Sequence, residues 1–276
     1  MNASRQNGQV NARVVPDPEN PGAWYVRIGW TDQSWVDPDD PTRLEFDYVQ
    51  RIAAHIDAFS PAGQRLRIVH VGGGGLTLPR YVAHTRPTSA QIVLEPDEAL
   101  TDEVRAALPL PRNSGIKVRP QDGRTGLAAM PDDYADLVVI DAFDGARVPG
   151  ELATVSCFAD VRRVLHASGA LLMNVTDGTS LDWTRRTIAG LGRYFPHVVV
   201  SAESGTLKGR RFGNLVLAAS RAEFPTDVLT RRAASAAFPY RLVHGEALRR
   251  LIGGAQPFFD PGEPSPSPPF GPASFQ

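Results

Sequence analysis

The stretch Leu66-Arg-Ile-Val-His-Val-Gly-Gly-Gly-Gly75 decides the fold of this 276-residue chain. A run of residues that favours a strand leads directly into four glycines, and residues 76–85 behind them have the pattern of a helix. Glycine lets the chain turn tightly here and leaves backbone N–H groups open to a ligand. The pattern indicates the first strand–loop–helix unit of an α/β domain.

Strand and helix patterns alternate along the rest of the chain. Further strand patterns lie at 91–94, 116–118, 136–140, 170–175, 197–201 and 214–218, with helical patterns between most of them and the last two in near succession. This spacing is typical of βαβ units, so we expect a Rossmann-like, mostly parallel sheet of seven strands with an antiparallel strand at its end. Two β-like runs around the turn at 16–22 predict an N-terminal hairpin, which we expect to pack on the core or on a partner chain.

The chain divides by composition into three parts. Residues 1–60 hold the hairpin and a lead-in helix, with a frayed start over about residues 1–10; residues 61–253 form the Rossmann-like domain. Residues 254–276 are rich in Pro and Ser, so we expect a disordered tail.

Charge and cysteine content limit the classes of function. The formal net charge is −1, so no basic surface predicts a nucleic-acid or membrane partner. The single cysteine, Cys157, forms neither an internal disulfide nor a cysteine-rich metal site. The N-terminus lacks the apolar core of a signal peptide. We therefore predict a cytoplasmic protein without a metal.

In an open parallel sheet the ligand binds beyond the carboxyl ends of the strands. Gly72, Gly73 and Gly74 form the loop after the first predicted strand. Glu95 ends the second strand, about 20 residues on, which is the spacing of an acid that binds a ribose diol. These residues are the candidates for nucleoside binding. The alternatives are structural: the glycines serve only the turn, and Glu95 is a helix N-terminal acid.

Carboxylates also follow the next two strands. Asp122-Gly123 could contact an adenine edge, and Asp141 and Asp144 point two carboxylates at the same crevice. Asp122-Gly123 and Asp144 followed by glycine are also ordinary turn pairs. The loop lacks the third glycine of a dinucleotide fingerprint, and no Gly-Lys-Ser/Thr occurs. The set favours an adenosine ligand without pyrophosphate, such as S-adenosylmethionine or its decarboxylated form.

These motifs resemble those of the spermidine synthase family, the polyamine aminopropyltransferases, over about residues 24–220. The chain looks most like the divergent bacterial members. The matching segments are Gln33, Glu45-Phe46-Asp47-Tyr48, Val71-Gly-Gly-Gly74, Glu95, Asp122-Gly123, Asp141-Ala-Phe-Asp144 and residues 212–220.

The resemblance implies a class I S-adenosylmethionine-dependent transferase fold and an aminopropyl donor, decarboxylated S-adenosylmethionine. The acceptor would be a small-molecule amine such as putrescine. Asp141 would act as the base, Asp144 and Tyr48 would contact the acceptor, and Gln33 would lie at the donor site. The resemblance also implies a homodimer that pairs through its N-terminal region.

Four positions depart from the family pattern. Gly75 replaces the loop acid that helps to hold the donor's ammonium, Val49 replaces a glutamine, Gly145 replaces a proline, and residues 201–205 lack an aromatic residue and a proline. The donor half is thus better retained than the acceptor half.

Two alternatives to aminopropyl transfer stay open. One is a methyltransferase, in which Arg80 could hold the carboxylate of S-adenosylmethionine. The other is a non-catalytic spermidine synthase-like protein. His70 and Tyr48 also have a structural alternative, as residues of the core.

Overall fold

The computed structural model describes residues 12–28 and 31–269. The predicted frayed start and the last residues of the predicted tail, 270–276, lie outside the described residues. Three strands, β1 (Ala12–Pro16), β2 (Trp24–Ile28) and β3 (Thr31–Val36), form an antiparallel N-terminal sheet. The predicted hairpin is present, and β3 extends it.

The N-terminal sheet packs on the main domain, which is one of the two arrangements expected for the hairpin. The Val14 N–H donates to the Glu103 carboxylate at 3.2 Å, and Val26 is buried against Leu100 and Val104. Within the N-terminal sheet, the Trp35 indole of β3 donates to the Asp17 carboxylate, directly after β1, at 2.8 Å.

The described residues form a second sheet of eight strands with helices on both faces. Its strands are β4 (Arg67–Val71), β5 (Ala90–Leu94), β6 (Ile116–Arg119), β7 (Ala135–Ile140), β8 (Leu165–Asp177), β9 (His197–Ala202), β10 (Gly213–Ser220) and β11 (Arg241–Val243). The helices are α1 (Asp47–Phe59), α2 (Thr77–Thr85), α3 (Glu98–Ala107), α4 (Gly123–Ala128), α5 (Val155–Val164), α6 (Asp182–Leu191), α7 (Ser204–Leu207), α8 (Thr226–Ser235) and α9 (Gly245–Ile252), with a 3-10 turn at Gly150–Ala153. Across the described ranges, no helix has the length and apolarity to cross a membrane.

The strand order places a crevice in the middle of the large sheet. The order is β11-β9-β10-β8-β7-β4-β5-β6, with parallel pairing from β8 to β6 and antiparallel pairing of β10 with both β8 and β9. The direction of strand addition reverses between β4 and β7, and ligands bind at such switch points. The α/β prediction is confirmed, but the sheet has eight strands rather than seven, because β11 pairs with β9 at one edge.

Alternate residues of the central strands face two separate apolar cores. Ile68 and Val139 lie in the core covered by α1, whereas Val69 and Val138 lie in the core covered by α5. A parallel sheet covered on both faces needs such continuous apolar strands, which fixes the register of β4 and β7.

The prediction of a disordered tail is wrong for residues 254–269, here called the C-terminal segment. Phe258 is 2% exposed and Ser265 is fully buried. The Trp183 indole donates to the Glu263 carbonyl at 2.7 Å, and the Val155 N–H donates to the Phe258 carbonyl at 3.0 Å. A prediction from composition could not find this packing, because the segment forms no helix or strand. Its backbone carbonyls instead accept hydrogen bonds from residues of α5 and α6.

Candidate active site

The glycine loop begins where β4 and β7 end side by side. Gly72 has φ +95°, and a Cβ built on it would lie 2.2 Å from the Asp141 carbonyl oxygen. The Gly72 N–H donates to the Leu94 carbonyl, and the Asp141 N–H donates to the Val71 carbonyl, each at 2.9 Å. Only glycine fits this close approach of the loop to the end of β7.

Glu95 is tied to the same loop. One of its oxygens accepts the Gly73 N–H at 2.8 Å and the other accepts the Asp97 N–H at 3.0 Å. Helix α3 is capped instead by Asp97, whose side chain accepts the Leu100 N–H. The Glu95 carboxylate is therefore fixed beside the glycines, and its remaining lone pairs suit the two hydroxyls of a ribose.

The N-terminal sheet lies over the far half of the loop. The Gly75 N–H donates to the Ser34 hydroxyl at 3.0 Å, and the Thr77 hydroxyl donates to the Trp35 carbonyl at 2.9 Å. A Cβ on Gly75 would lie 2.8 Å from Val36 Cγ2. The space in which the family's loop acid would begin is therefore already filled by β3.

Asp141 is a half-buried carboxylate at the carboxyl end of β7. The Asn174 side-chain amide, on the neighbouring strand β8, donates to its Oδ1 at 3.0 Å. Burial raises the pKa of Asp141 from 3.8 to about 6, and the bond from Asn174 partly opposes that rise. A carboxylate with a pKa near 6 is ionised at neutral pH and accepts a proton more readily than an ordinary aspartate.

Tyr48 lies near this carboxylate. Burial, followed by the charges of Asp141 and Asp47, raises the pKa of its phenol well above the ordinary value. The phenol therefore stays protonated at neutral pH, and the ring packs against the core beneath α1. The packing interpretation of Tyr48 is thus confirmed, and its contact with an acceptor stays a prediction.

Three predicted site residues have surroundings that differ from those of Glu95 and Asp141. Asp122 is exposed and caps α4, accepting the Thr125 N–H at 2.8 Å; that bond is the main reason its pKa is lowered. Asp144 is exposed and lines a cavity of about 370 Å³ beside the C-terminal segment. Gln33 lies in β3 and reaches the Gly145 carbonyl at 3.5 Å. It thus joins the N-terminal sheet to the loop after β7.

Two residues have structural positions. His70 is buried in β4 and hydrogen-bonds to Gln91 at 2.9 Å, as the core interpretation predicts. Arg80 is buried and donates to the carbonyls of Leu108 and Pro109 at the end of α3. These contacts orient the guanidinium toward the end of α3, so they do not support a role for Arg80 in holding a donor carboxylate.

Sequence reasoning missed Asn174 and Ser34. Asn174 is 1% exposed, and its Oδ1 has no hydrogen-bond partner within the described part of the chain. The signal was a polar residue inside the apolar run of β8, three positions before the strand ends. Ser34 carried no signal, because serine is common in edge strands such as β3 without any functional role.

The strand order, the glycine loop with Glu95 and the half-buried Asp141 together define a class I S-adenosylmethionine-dependent transferase fold. Among residues 12–28 and 31–269, no three His, Cys, Asp or Glu side chains group closely enough to hold a metal ion. The site thus brings a glycine loop with a fixed carboxylate, Glu95, beside a half-buried carboxylate with a raised pKa, Asp141.

Comparisons with known proteins place the chain more narrowly. No family model matches it. The structure of a probable spermidine synthase from Corynebacterium glutamicum is 30% identical, with a TM-score of 0.85 over 91% of this chain and 94% of that one. The human Methyltransferase-like protein 13 structure, in complex with SAH, is 19% identical with a TM-score of 0.56 over 79% of this chain and 97% of that one, and shares the fold alone.

The polyamine aminopropyltransferase of Vibrio vulnificus is 26% identical over 174 residues, 62% of this chain and 57% of that protein. The chain thus spans a little over half the length of the curated relatives it matches. The chain belongs to the spermidine synthase-like family.

Proposed function

We propose that the protein transfers an aminopropyl group from decarboxylated S-adenosylmethionine to an alkyl amine, of which putrescine is the example that the family resemblance implies. The observation that carries the proposal is Asp141, whose half-buried carboxylate ends β7 beside the glycine loop, has a pKa of about 6 and is held by Asn174. The names of the relatives support the same reaction class.

The donor half of the reaction depends on the glycine loop and Glu95. In the proposal the ribose diol binds the Glu95 carboxylate, and the loop backbone accommodates the rest of the nucleoside. The loop N–H of Gly73 and the N–H of Asp97 hold Glu95 in place without consuming all of its acceptor sites. A fixed carboxylate loses little conformational entropy when the ligand binds.

The acceptor half depends on Asp141. An amine attacks only when its nitrogen lone pair is free, so its extra proton must leave. Asp141 accepts that proton from the bound ammonium, and the freed lone pair then forms the new N–C bond as the C–S bond of the sulfonium breaks; methylthioadenosine leaves with the electron pair. Because the sulfonium is already a good leaving group, alignment of amine and donor carbon supplies most of the rate enhancement.

Methyl transfer from S-adenosylmethionine is the second candidate, and one observation favours it. Gly75 leaves the loop without the acid that would hold the donor's ammonium and repel a carboxylate, and Val36 and Ser34 fill that space. The glycine loop alone therefore does not select the decarboxylated donor.

Calorimetric titration with each donor, followed by product analysis with a panel of amines, tests the proposal. Tighter binding of the decarboxylated form, with amine-dependent release of methylthioadenosine, supports aminopropyl transfer. A preference for S-adenosylmethionine with release of S-adenosylhomocysteine establishes methyl transfer instead. Binding of neither donor leaves the non-catalytic alternative as the conclusion.

The proposal includes a homodimer that acts in the cytoplasm and pairs through the N-terminal sheet. Light scattering on the full chain tests the pairing, since a monomer at micromolar concentration would contradict it.

A further inference from the structure

Four charged side chains form an ion-pair cluster near the amino end of α1, here called the arginine cluster: Asp47, Arg51, Glu203 and Arg211. Arg51 is 2% exposed and pairs with Asp47 one turn earlier in α1 and with Glu203 at 3.7 Å. Glu203 also pairs with Arg211, which is largely exposed. Two carboxylates thus meet two guanidinium groups, and the cluster has no net charge.

The arginine cluster lies at the same edge of the sheet as Asp141. Arg51 donates to the carbonyl of Asn214 at 3.1 Å, and Asn214 pairs with Thr176 near the carboxyl end of β8. Glu203 follows directly after β9, whose end lies beside the start of β10. The edge therefore runs from the proton acceptor on β7 to the cluster.

Tyr48 connects the two ends of this edge. It neighbours Asp47 in the chain, and the charges of Asp141 and Asp47 add to burial in raising the pKa of its phenol. An acceptor whose amine lies at Asp141 and whose chain passes Tyr48 would therefore direct its far end toward the arginine cluster.

We propose that Arg51 sets the acceptor class, so that the crevice takes an aminoalkyl compound whose far end carries no positive charge. A monoamine or an ω-amino acid has that form. The inference rests on the proposed function and makes it more specific. The diamine that the family resemblance implies is then a poor acceptor.

The physical reason is that both acids of the cluster already form ion pairs. An ammonium group at the far end of the acceptor needs an unpaired carboxylate to offset the loss of its hydration. Asp47 and Glu203 are each already paired with an arginine, so the ammonium would meet two guanidinium groups at similar range. Like charges placed together are a recognised means of excluding a wrong partner.

Three acceptors of equal carbon number separate the possibilities without any variant: 1-aminobutane, 1,4-diaminobutane and 4-aminobutanoate. Each is titrated into the full chain saturated with methylthioadenosine, and initial rates are measured with decarboxylated S-adenosylmethionine. Tighter binding and faster turnover of the monoamine or the amino acid support the inference. Equal or better use of the diamine overturns it while leaving aminopropyl transfer intact. Failure of methylthioadenosine to bind overturns the proposed function itself.

Substitution at the cluster tests Arg51 directly. Arg51→Met keeps the aliphatic volume, frees the Asp47 carboxylate and leaves Glu203 paired only with Arg211. Preference for the diamine over the monoamine should therefore rise by at least about tenfold. Arg232→Met is the matched control, because Arg232 also pairs with an acid of α1, Asp57, at 3.2 Å, near the other end of the helix. An unchanged preference in folded Arg51→Met, or an equal rise in the control, overturns the role of Arg51.

Discussion

The Ser34 hydroxyl accepts a hydrogen bond from the Gly75 backbone N–H at 3.0 Å, which joins the N-terminal sheet to the glycine loop. The contact explains how the chain departs from its family at this position. A Cβ on Gly75 would meet Val36 Cγ2 at 2.8 Å, Ser34 Cβ at 3.0 Å and Val26 Cγ2 at 3.1 Å. Sheet and loop have thus adapted to each other around the missing side chain.

Gly75→Asp, which restores the family acid, should therefore destabilise the protein instead of improving it. Overpacking of this kind costs about 1–3 kcal/mol in the free energy of unfolding, measured by urea denaturation. Gly254→Asp is the matched control, because a Cβ on Gly254 has no atom within 4 Å. Unchanged stability of Gly75→Asp together with tighter binding of the decarboxylated donor would contradict this account of the loop.

Asn174 should tune the acidity of Asp141. The hydrogen bond from its side-chain amide to the carboxylate partly opposes the effect of burial, which raises the pKa of Asp141 to about 6. Because activity needs the ionised carboxylate, it should increase as pH rises through that value. Asn174→Ala removes the bond, so the acidic limb of the kcat/KM profile should move to higher pH.

The comparison uses the same amine for both proteins, so that the amine's own titration cancels. A lower activity with an unshifted limb would show that Asn174 acts only through packing or direct acceptor contact.

The C-terminal segment should contribute strongly to stability. Phe258 is 2% exposed, packs against Trp183 and lies under Arg186 at 3.8 Å, so Phe258→Ala should cost about 3–5 kcal/mol. The neighbouring Phe259 is 61% exposed, and Phe259→Ala should stay within about 0.5 kcal/mol. Thermal or urea unfolding measures both. Equal effects of the two substitutions would mean that the segment does not pack as described.

Two buried histidines should make the protein lose stability in mild acid. Burial lowers the pKa of His55 and of His70 from 6.5 to about 4. The unfolded chain therefore takes up protons below about pH 6.5 that the folded chain refuses, and stability falls as pH drops from there toward 4. Each histidine contributes on the order of 3 kcal/mol across the whole window.

Urea unfolding at pH 7.5, 6 and 5 measures this loss. His55→Gln retains a polar partner for Ser201, which lies 2.9 Å from the His55 ring nitrogen, and should remove the share due to His55. An identical pH slope in the parent and the variant would show that His55 is not the group that titrates.

The repeated strand patterns and the glycine loop predicted the α/β architecture, because a parallel sheet covered on both faces demands long apolar strands that few other structures contain. Strand β11 was missed because it is three residues long and takes its pairing from β9, outside its own local pattern. The packing of Phe258 was missed for a similar reason, since a single aromatic residue in a Pro-rich stretch gives no periodic signal.

In the candidate site, too, some residues could be predicted from the sequence and others could not. Gly72 and Glu95 could be placed from spacing along the chain, because each follows a strand whose end the fold brings to one edge. Asn174 and the Arg51–Glu203 pair could not, because the residues that pair in each case lie far apart in sequence. Long-range polar contacts are set by tertiary geometry, and the residues that we propose to specialise the acceptor side are of that kind.

The most direct test of the central claim is Asp141→Asn, measured for turnover and for methylthioadenosine binding on the same preparation. The account predicts that turnover falls by at least about a hundredfold, the usual range for removal of a general base, while nucleoside affinity stays within about twofold. Turnover that survives the substitution, or affinity that falls together with turnover, would contradict the role of Asp141 as the proton acceptor.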